Sequence, residues 1–133
     1  MTPEERKQFL LTHRLAIVGM LRREKSPQLS PVYYVMDGDD LLISTTATRA
    51  KAKAVRRDAR VSVCVLGEQP PFPYLTVYGR GRIEDAGVVD VMMRVGEKMY
   101  GQPLAESMRP AVEERARNEQ RVVLRVTPES FFP

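Results

Sequence analysis

Six cations fall between positions 49 and 60: Arg49, Lys51, Lys53, Arg56, Arg57 and Arg60. They lie on an alanine-rich stretch entered through the hydroxyl-bearing Thr45, Thr46 and Thr48. The apolar run Leu41-Leu42-Ile43 precedes this stretch and the alternating run Val61-Ser62-Val63-Cys64-Val65 follows it, so a short helix is expected between two strands. The first N–H groups of a helix have no intrahelical partner and carry a partial positive charge, which attracts an anion. Arg49 and Lys51 in the first turn oppose the usual dipole preference for acids at that end. A phosphate bound there would relieve the conflict, so the chemistry on offer is the anchoring of a phosphorylated cofactor or ligand. The residues alone leave three roles open: a solvated amphipathic helix, a phosphate site at its first turn, or a nucleic-acid surface. The last ordinarily uses exposed aromatic rings for stacking or a recognised reading motif.

Other candidate residues are sparser. Gln28 and Ser30 are two positions apart, hence on one face of a strand, and can either hydrogen-bond a heterocycle or form an outward polar row. Phe72 and Tyr74 flank Pro73 before a strand, where rings wall a planar ligand or simply pack a loop. One histidine, His13, and one cysteine, Cys64, cannot make a zinc-type ligand set. The chain has no Gly-x-Ser-x-Gly elbow, Gly-rich phosphate loop or dinucleotide fingerprint, so no catalytic side chain and no metal ligand is assigned. In an enzyme of this sequence the reactive chemistry would belong to a bound cofactor.

The elements that position these residues can be read in order. Thr2-Pro3-Glu4-Glu5 is a helix start, with a capping residue, proline at the first helical position and acids in the first turn. Strands are expected at 15–21, 28–36 and 41–44, forming a three-strand meander that turns at Asp37-Gly38-Asp39. Further strands are expected at 61–66, 74–84 and 121–127, with helices at 86–100 and at 104–118, the latter interrupted by Pro110. In the clearest strand Leu75, Val77, Gly79, Gly81 and Ile83 share one face. Two glycines there imply strong coiling or close approach of another backbone. The sum is mainly β with α additions, a six-stranded, mainly antiparallel barrel whose closure removes exposed edges.

The length of 133 residues fits a single domain over 1–133. A net charge of +4 leaves nucleic acid open as a partner without requiring it, because 17 acids are interspersed with 21 Lys and Arg residues. No apolar run approaches the ~18–20 residues of a membrane span. The charged start Met1-Thr2-Pro3-Glu4-Glu5-Arg6 is unlike a secretory signal. These points favour a cytoplasmic protein with no membrane partner, and the lack of a recognised reading motif argues against a nucleic-acid partner.

Taken together, Ser26-Pro27-Gln28-Leu29-Ser30-Pro31-Val32-Tyr33-Tyr34, Asp37 to Thr46, Arg49 to Ser62, Tyr74 to Gly81 and Arg121 to Glu129 resemble the pyridoxamine 5′-phosphate oxidase-like split-barrel proteins. Within that family they are most similar to the branch that uses the deazaflavin coenzyme F420. The resemblance implies a six-stranded split β-barrel forming a homodimer with cofactor sites at the subunit interface. It implies that Arg49 and Lys51, with the intervening Ala50, hold the cofactor phosphate beside the hydroxyls of Thr45 and Thr46. Gln28 and Ser30 would lie along the ring system and Tyr74 near it. The implied activity is hydride transfer from reduced F420 to a conjugated, electron-poor small molecule. FMN is the alternative cofactor, and a cofactor-binding protein without turnover is the alternative role. The chain departs from the family pattern at Ala54, Val55 and Ala59, where asparagine, leucine and proline are usual.

Overall fold

The computed structural model describes residues 1–133. Helix α1, Pro3–Thr12, begins as the sequence implies: Thr2 caps it, accepting from the Glu5 N–H, while the Glu5 carboxylate accepts from the Thr2 N–H. The strands are β1 Leu15–Leu21, β2 Pro27–Tyr33, β3 Val35–Asp37, β4 Asp40–Thr46, β5 Arg60–Leu66, β6 Tyr74–Glu84 and β7 Arg121–Phe132. Helix α2, Ala50–Arg57, links β4 to β5, and α3, Val88–Tyr100, and α4, Arg109–Asn118, lie between β6 and β7.

All pairings are antiparallel, in one sheet ordered β2-β1-β5-β6-β7-β4-β3. The expected single strand 28–36 divides at Tyr34 into β2, which pairs with β1, and β3, which pairs with β4, so seven strands stand where six were expected. The physical reason is local. Tyr34 is fully buried, its hydroxyl donates to the Leu10 carbonyl at 2.7 Å, and its N–H makes the last bond of the β1–β2 ladder, to Arg14 O, before the chain turns to pair with β4. The chain therefore passes from one edge of the sheet to the other across a single residue, and the sheet curls almost closed. Pro27 and Pro31 are tolerated because β2 is an edge strand.

The concave face carries the main core: Ala16, Val18 and Met20 of β1, Val61, Val63 and Val65 of β5, Leu75 and Val77 of β6, and Leu124 and Val126 of β7. Ala54 and Val55 of α2 close one end of it, and α3 covers a second cluster of Val35, Leu42, Val91 and Val123. The last strand runs past the expected end at Thr127, because a bulge at Tyr78/Gly79 lets β7 continue through Pro128, which lacks an N–H, to Phe132. Pro110 does not interrupt a long helix; it sits in the first turn of α4, after a short 3₁₀ turn at Glu106–Met108.

Helix α3 is tied down by cations bonding carbonyls. Arg94 donates to Met36 O, Lys98 donates to His13 O, and Arg14 donates to Met99 O at 2.7 Å. Lys98 also lies 4.1 Å from the Tyr34 ring centroid. Burial, with Arg94 adding repulsion, pushes the Lys98 ammonium down to about 8. Above that value the unfolded chain binds the proton and the folded chain does not, so this group makes stability rise with pH between about 8 and 10.5. Lys98→Met is expected to flatten that rise in chemical denaturation measured across the window.

Candidate functional site

Helix α2 starts at Ala50, with Arg49 as its N-cap residue and no side chain capping it. Of the threonines expected at the helix entry, Thr48 immediately precedes Arg49 without capping the helix, while Thr45 and Thr46 are the last residues of β4, both buried. They cannot turn back to cap the helix, so the N–H groups of its first turn stay available to a ligand.

Beside this turn is a cleft of about 350 Å³, bounded by β2, β4, α2, α3 and α4. Arg49, Lys51, Arg115 and Arg121 line it, and no carboxylate does. Lys51 Nζ donates to Ser30 Oγ at 3.2 Å, and neither Arg49 nor Lys51 has an ion-pair partner. Burial first, then repulsion from Arg49 and Arg121, holds Lys51 below the usual lysine range. Arg121, mostly buried, bonds Glu119 at 2.8 Å and lies 3.5 Å from Ser44 Oγ. The opposite wall is apolar and rich in methionine: Met92, Val95 and Met99 from α3, with Leu104, Met108 and Val112 beyond.

Thr45 lines the same cleft, 2 % exposed, and its Oγ1 has no hydrogen-bond partner. An unpaired buried hydroxyl costs about 1–3 kcal/mol, and it is what an absent acceptor or donor would leave behind. Thr45→Val, which keeps the shape and deletes the hydroxyl, is expected to raise ligand-free stability by about 1 kcal/mol. The same substitution should reduce the thermal shift caused by a phosphorylated ligand.

The sequence-derived candidates divide. Ser30, Thr45, Arg49 and Lys51 are brought together, with Ala50 exposed at the first helical position. Thr46 is buried alongside but does not line the cleft. Gln28 shares the inner face of β2 with Ser30, two positions farther from the cleft residue Val32. Tyr74 is not brought in. The pairings Tyr33–Leu15–Leu66–Tyr74 put it on the convex face, three strands from the Tyr33 that lines the cleft, roughly 14 Å by strand spacing. Arg121, Arg115 and Ser44 also line the cleft. Nothing in their local sequence marks them; the pairing of Thr46 with Arg121 is what carries the last strand to the cleft. A larger cleft of about 670 Å³ lies between α1 and the β3–β4 turn. Its lining mixes Glu4, Asp39 and Asp40 with Arg6 and Lys7 and holds no orphaned buried group, so it lacks the bias toward anions.

Residues 2–132 match the family described as pyridoxamine 5′-phosphate oxidase. The chain belongs to that family. Its members' fold is also found in solved structures that resemble this one. A conserved hypothetical protein of Mycobacterium tuberculosis has a TM-score of 0.86 and 22% identity, with 98% of this chain and 82% of that one covered. A protein described as an F420 reductase has a TM-score of 0.75 and 23% identity, with coverage of 95% and 94%. The haem storage protein HutZ of Vibrio cholerae has a TM-score of 0.69 and 14% identity, with coverage of 98% and 92%. At these identities the likeness establishes the split-barrel fold. No curated protein matches the chain. No helix is long and apolar enough to cross a membrane.

Proposed function

We propose that this member of the pyridoxamine 5′-phosphate oxidase family is an F420-dependent reductase, acting on a conjugated, electron-poor small molecule. The observation that carries the reading is a cleft with four cations and no carboxylate, whose buried Thr45 hydroxyl is unpaired. A phosphorylated deazaflavin or flavin fits that donor set, and when bound it supplies the hydride chemistry. Arg49, Lys51 and the N–H groups opening α2 hold the phosphate, and Thr45 donates from beneath. Ser30 keeps the Lys51 ammonium aimed into the cleft. Gln28 and Ser30 run along the ring edge, and the apolar wall of α3 and α4 excludes water. Binding, orientation and water exclusion are the work assigned to the chain, with no side chain reacting.

The reading includes a homodimer formed through the convex face of the sheet. Leu29, Tyr74, Tyr78 and Phe132 are 67%, 43%, 45% and 54% exposed, an unusual concentration of large apolar side chains. The row Leu29–Gly19–Ser62–Tyr78 and the row Pro31–Ile17–Cys64–Thr76–Phe132 place them on that one surface. In such a dimer Tyr74 would lie within the interface, from which it would serve the partner's cleft rather than its own. Leu29→Glu combined with Tyr78→Glu is expected to yield a folded monomer in light scattering, with weakened cofactor binding.

The deciding experiment titrates the purified protein with F420 and FMN in parallel, then follows oxidation of the reduced cofactor with a panel of enones and quinones. Binding of F420 over FMN with turnover supports the reading. FMN alone moves the chain to the flavin-dependent alternative, and tight binding with no turnover makes it a cofactor carrier.

A further inference from the structure

Two of the four cations in the cleft are already engaged by a carboxylate that does not line it. Glu119 bonds Arg121 at 2.8 Å and Arg115 at 3.2 Å, drawing together the end of α4 and the start of β7. Glu119 is the C-cap of α4, and Gln120, which follows it, has a positive φ of 52°, so the pair forms the turn that delivers β7 to the cleft. Arg121 itself is 14% exposed and lies beside Ser44 Oγ. On the other side, Arg49 and Lys51 have no acidic partner. The cleft thus has two pairs of cations of different character, one without an acidic partner and one bridged by Glu119.

We propose that Glu119 is a specificity-determining residue. It holds the Arg115–Arg121 subsite closed to ligands with a single phosphate and yields it to ligands whose phosphate is followed by a second acidic group. The exchange breaks and forms only ion pairs: the Glu119 carboxylate moves into solvent and the second ligand anion takes the Arg121 guanidinium. A planar fork on Arg121 suits either a phosphate or a carboxylate. A ligand with one phosphate neutralises Arg49 and Lys51 and leaves the Glu119 bridge intact. This inference rests on the anion-binding reading above and goes beyond it by stating the charge pattern of the ligand.

The test uses inorganic phosphate and pyrophosphate as probes, titrated calorimetrically into the full chain at neutral pH and constant ionic strength. Glu119→Gln, which keeps an acceptor for Arg121 but removes the charge, should raise pyrophosphate affinity about fivefold and change phosphate affinity less than about twofold. Arg121→Lys, which keeps the charge and loses the fork, should remove most of the preference for pyrophosphate. The Arg121 Nε–H resonance should shift on adding pyrophosphate and stay in place on adding phosphate. Equal gains for both probes, no gain for either, or failure of pyrophosphate to bind would overturn the role of Glu119. Phosphate binding that survives Lys51→Ala undiminished would instead overturn the underlying assignment of the cleft, whatever Glu119 does.

Discussion

Gly79→Ala is expected to destabilise the protein by at least about 3 kcal/mol, the upper end of ordinary overpacking, and to shift expression toward insoluble material. A Cβ built on Gly79 would stand 2.2 Å from the Thr127 carbonyl oxygen and 3.1 Å from the Pro128 Cα. Both are backbone atoms of β7, so no side-chain rotation can relieve the overlap. Relief would require β6 and β7 to separate at the bulge, where the register already shifts between Tyr78 and Gly79. These are adjacent central strands, and a loss of this size is a large part of a typical domain's total stability. Gly81→Ala is the internal comparison. Its Cβ would meet only side-chain atoms, of Leu124 and Val61 at 2.9 Å and of Val55 at 3.3 Å, which can adjust. Its loss measured by chemical denaturation should therefore be smaller. Equal stability of Gly79→Ala and the parent protein would show that β7 does not need this approach.

Lys51→Ala is expected to leave the fold intact and to weaken binding of a phosphorylated cofactor by about 1.5–3 kcal/mol, the scale of a hydrogen bond to a charged group. Its only side-chain hydrogen bond is to Ser30, so the barrel loses little. In the free protein the ammonium is disfavoured by burial and by Arg49 and Arg121, so deleting it should not lower stability. A bound phosphate reverses that balance, because its charge sits where three cations now repel one another. Thermal melts with and without cofactor separate the two effects: the ligand-free midpoint should hold or rise while the ligand-induced increase shrinks. An affinity unchanged by the substitution would remove Lys51 from the site.

Arg125 shows how a cation pattern can be misread when only types and positions are known. It follows Arg121 by four residues, on the same face of β7, yet it is bound by Glu84, Asp40 and Asp37 at 2.8–3.0 Å. Arg121 has only Glu119 and faces the cleft. Both pair with β4, but Arg125 lies between Asp40 near the start of β4 and Glu84 at the end of β6, whereas Arg121 pairs with Thr46 beyond the reach of either acid.

Local patterns were legible without coordinates: the capped first helix, the alternation of β6, a close backbone approach at one of its two glycines, and the cations opening α2. Each depends on neighbours within a few residues, where periodicity and capping chemistry act directly. The assembly of the cleft was not legible, because it joins segments as distant in sequence as Ser30, Thr45, Lys51 and Arg121. Tyr34 turning inward, and so sending β2 and β3 to opposite edges, is a choice made by the core rather than by propensity. The outward side of Tyr74 follows from the alternation of β6, whereas its distance from the cleft is set by the strand order. Thus the sequence by itself determined a mainly β chain with a cationic helix start suited to phosphate. Only the tertiary structure decided which hydroxyl is left unpaired, which arginines reach it and which carboxylate competes for them, since burial and long-range pairing set those contacts.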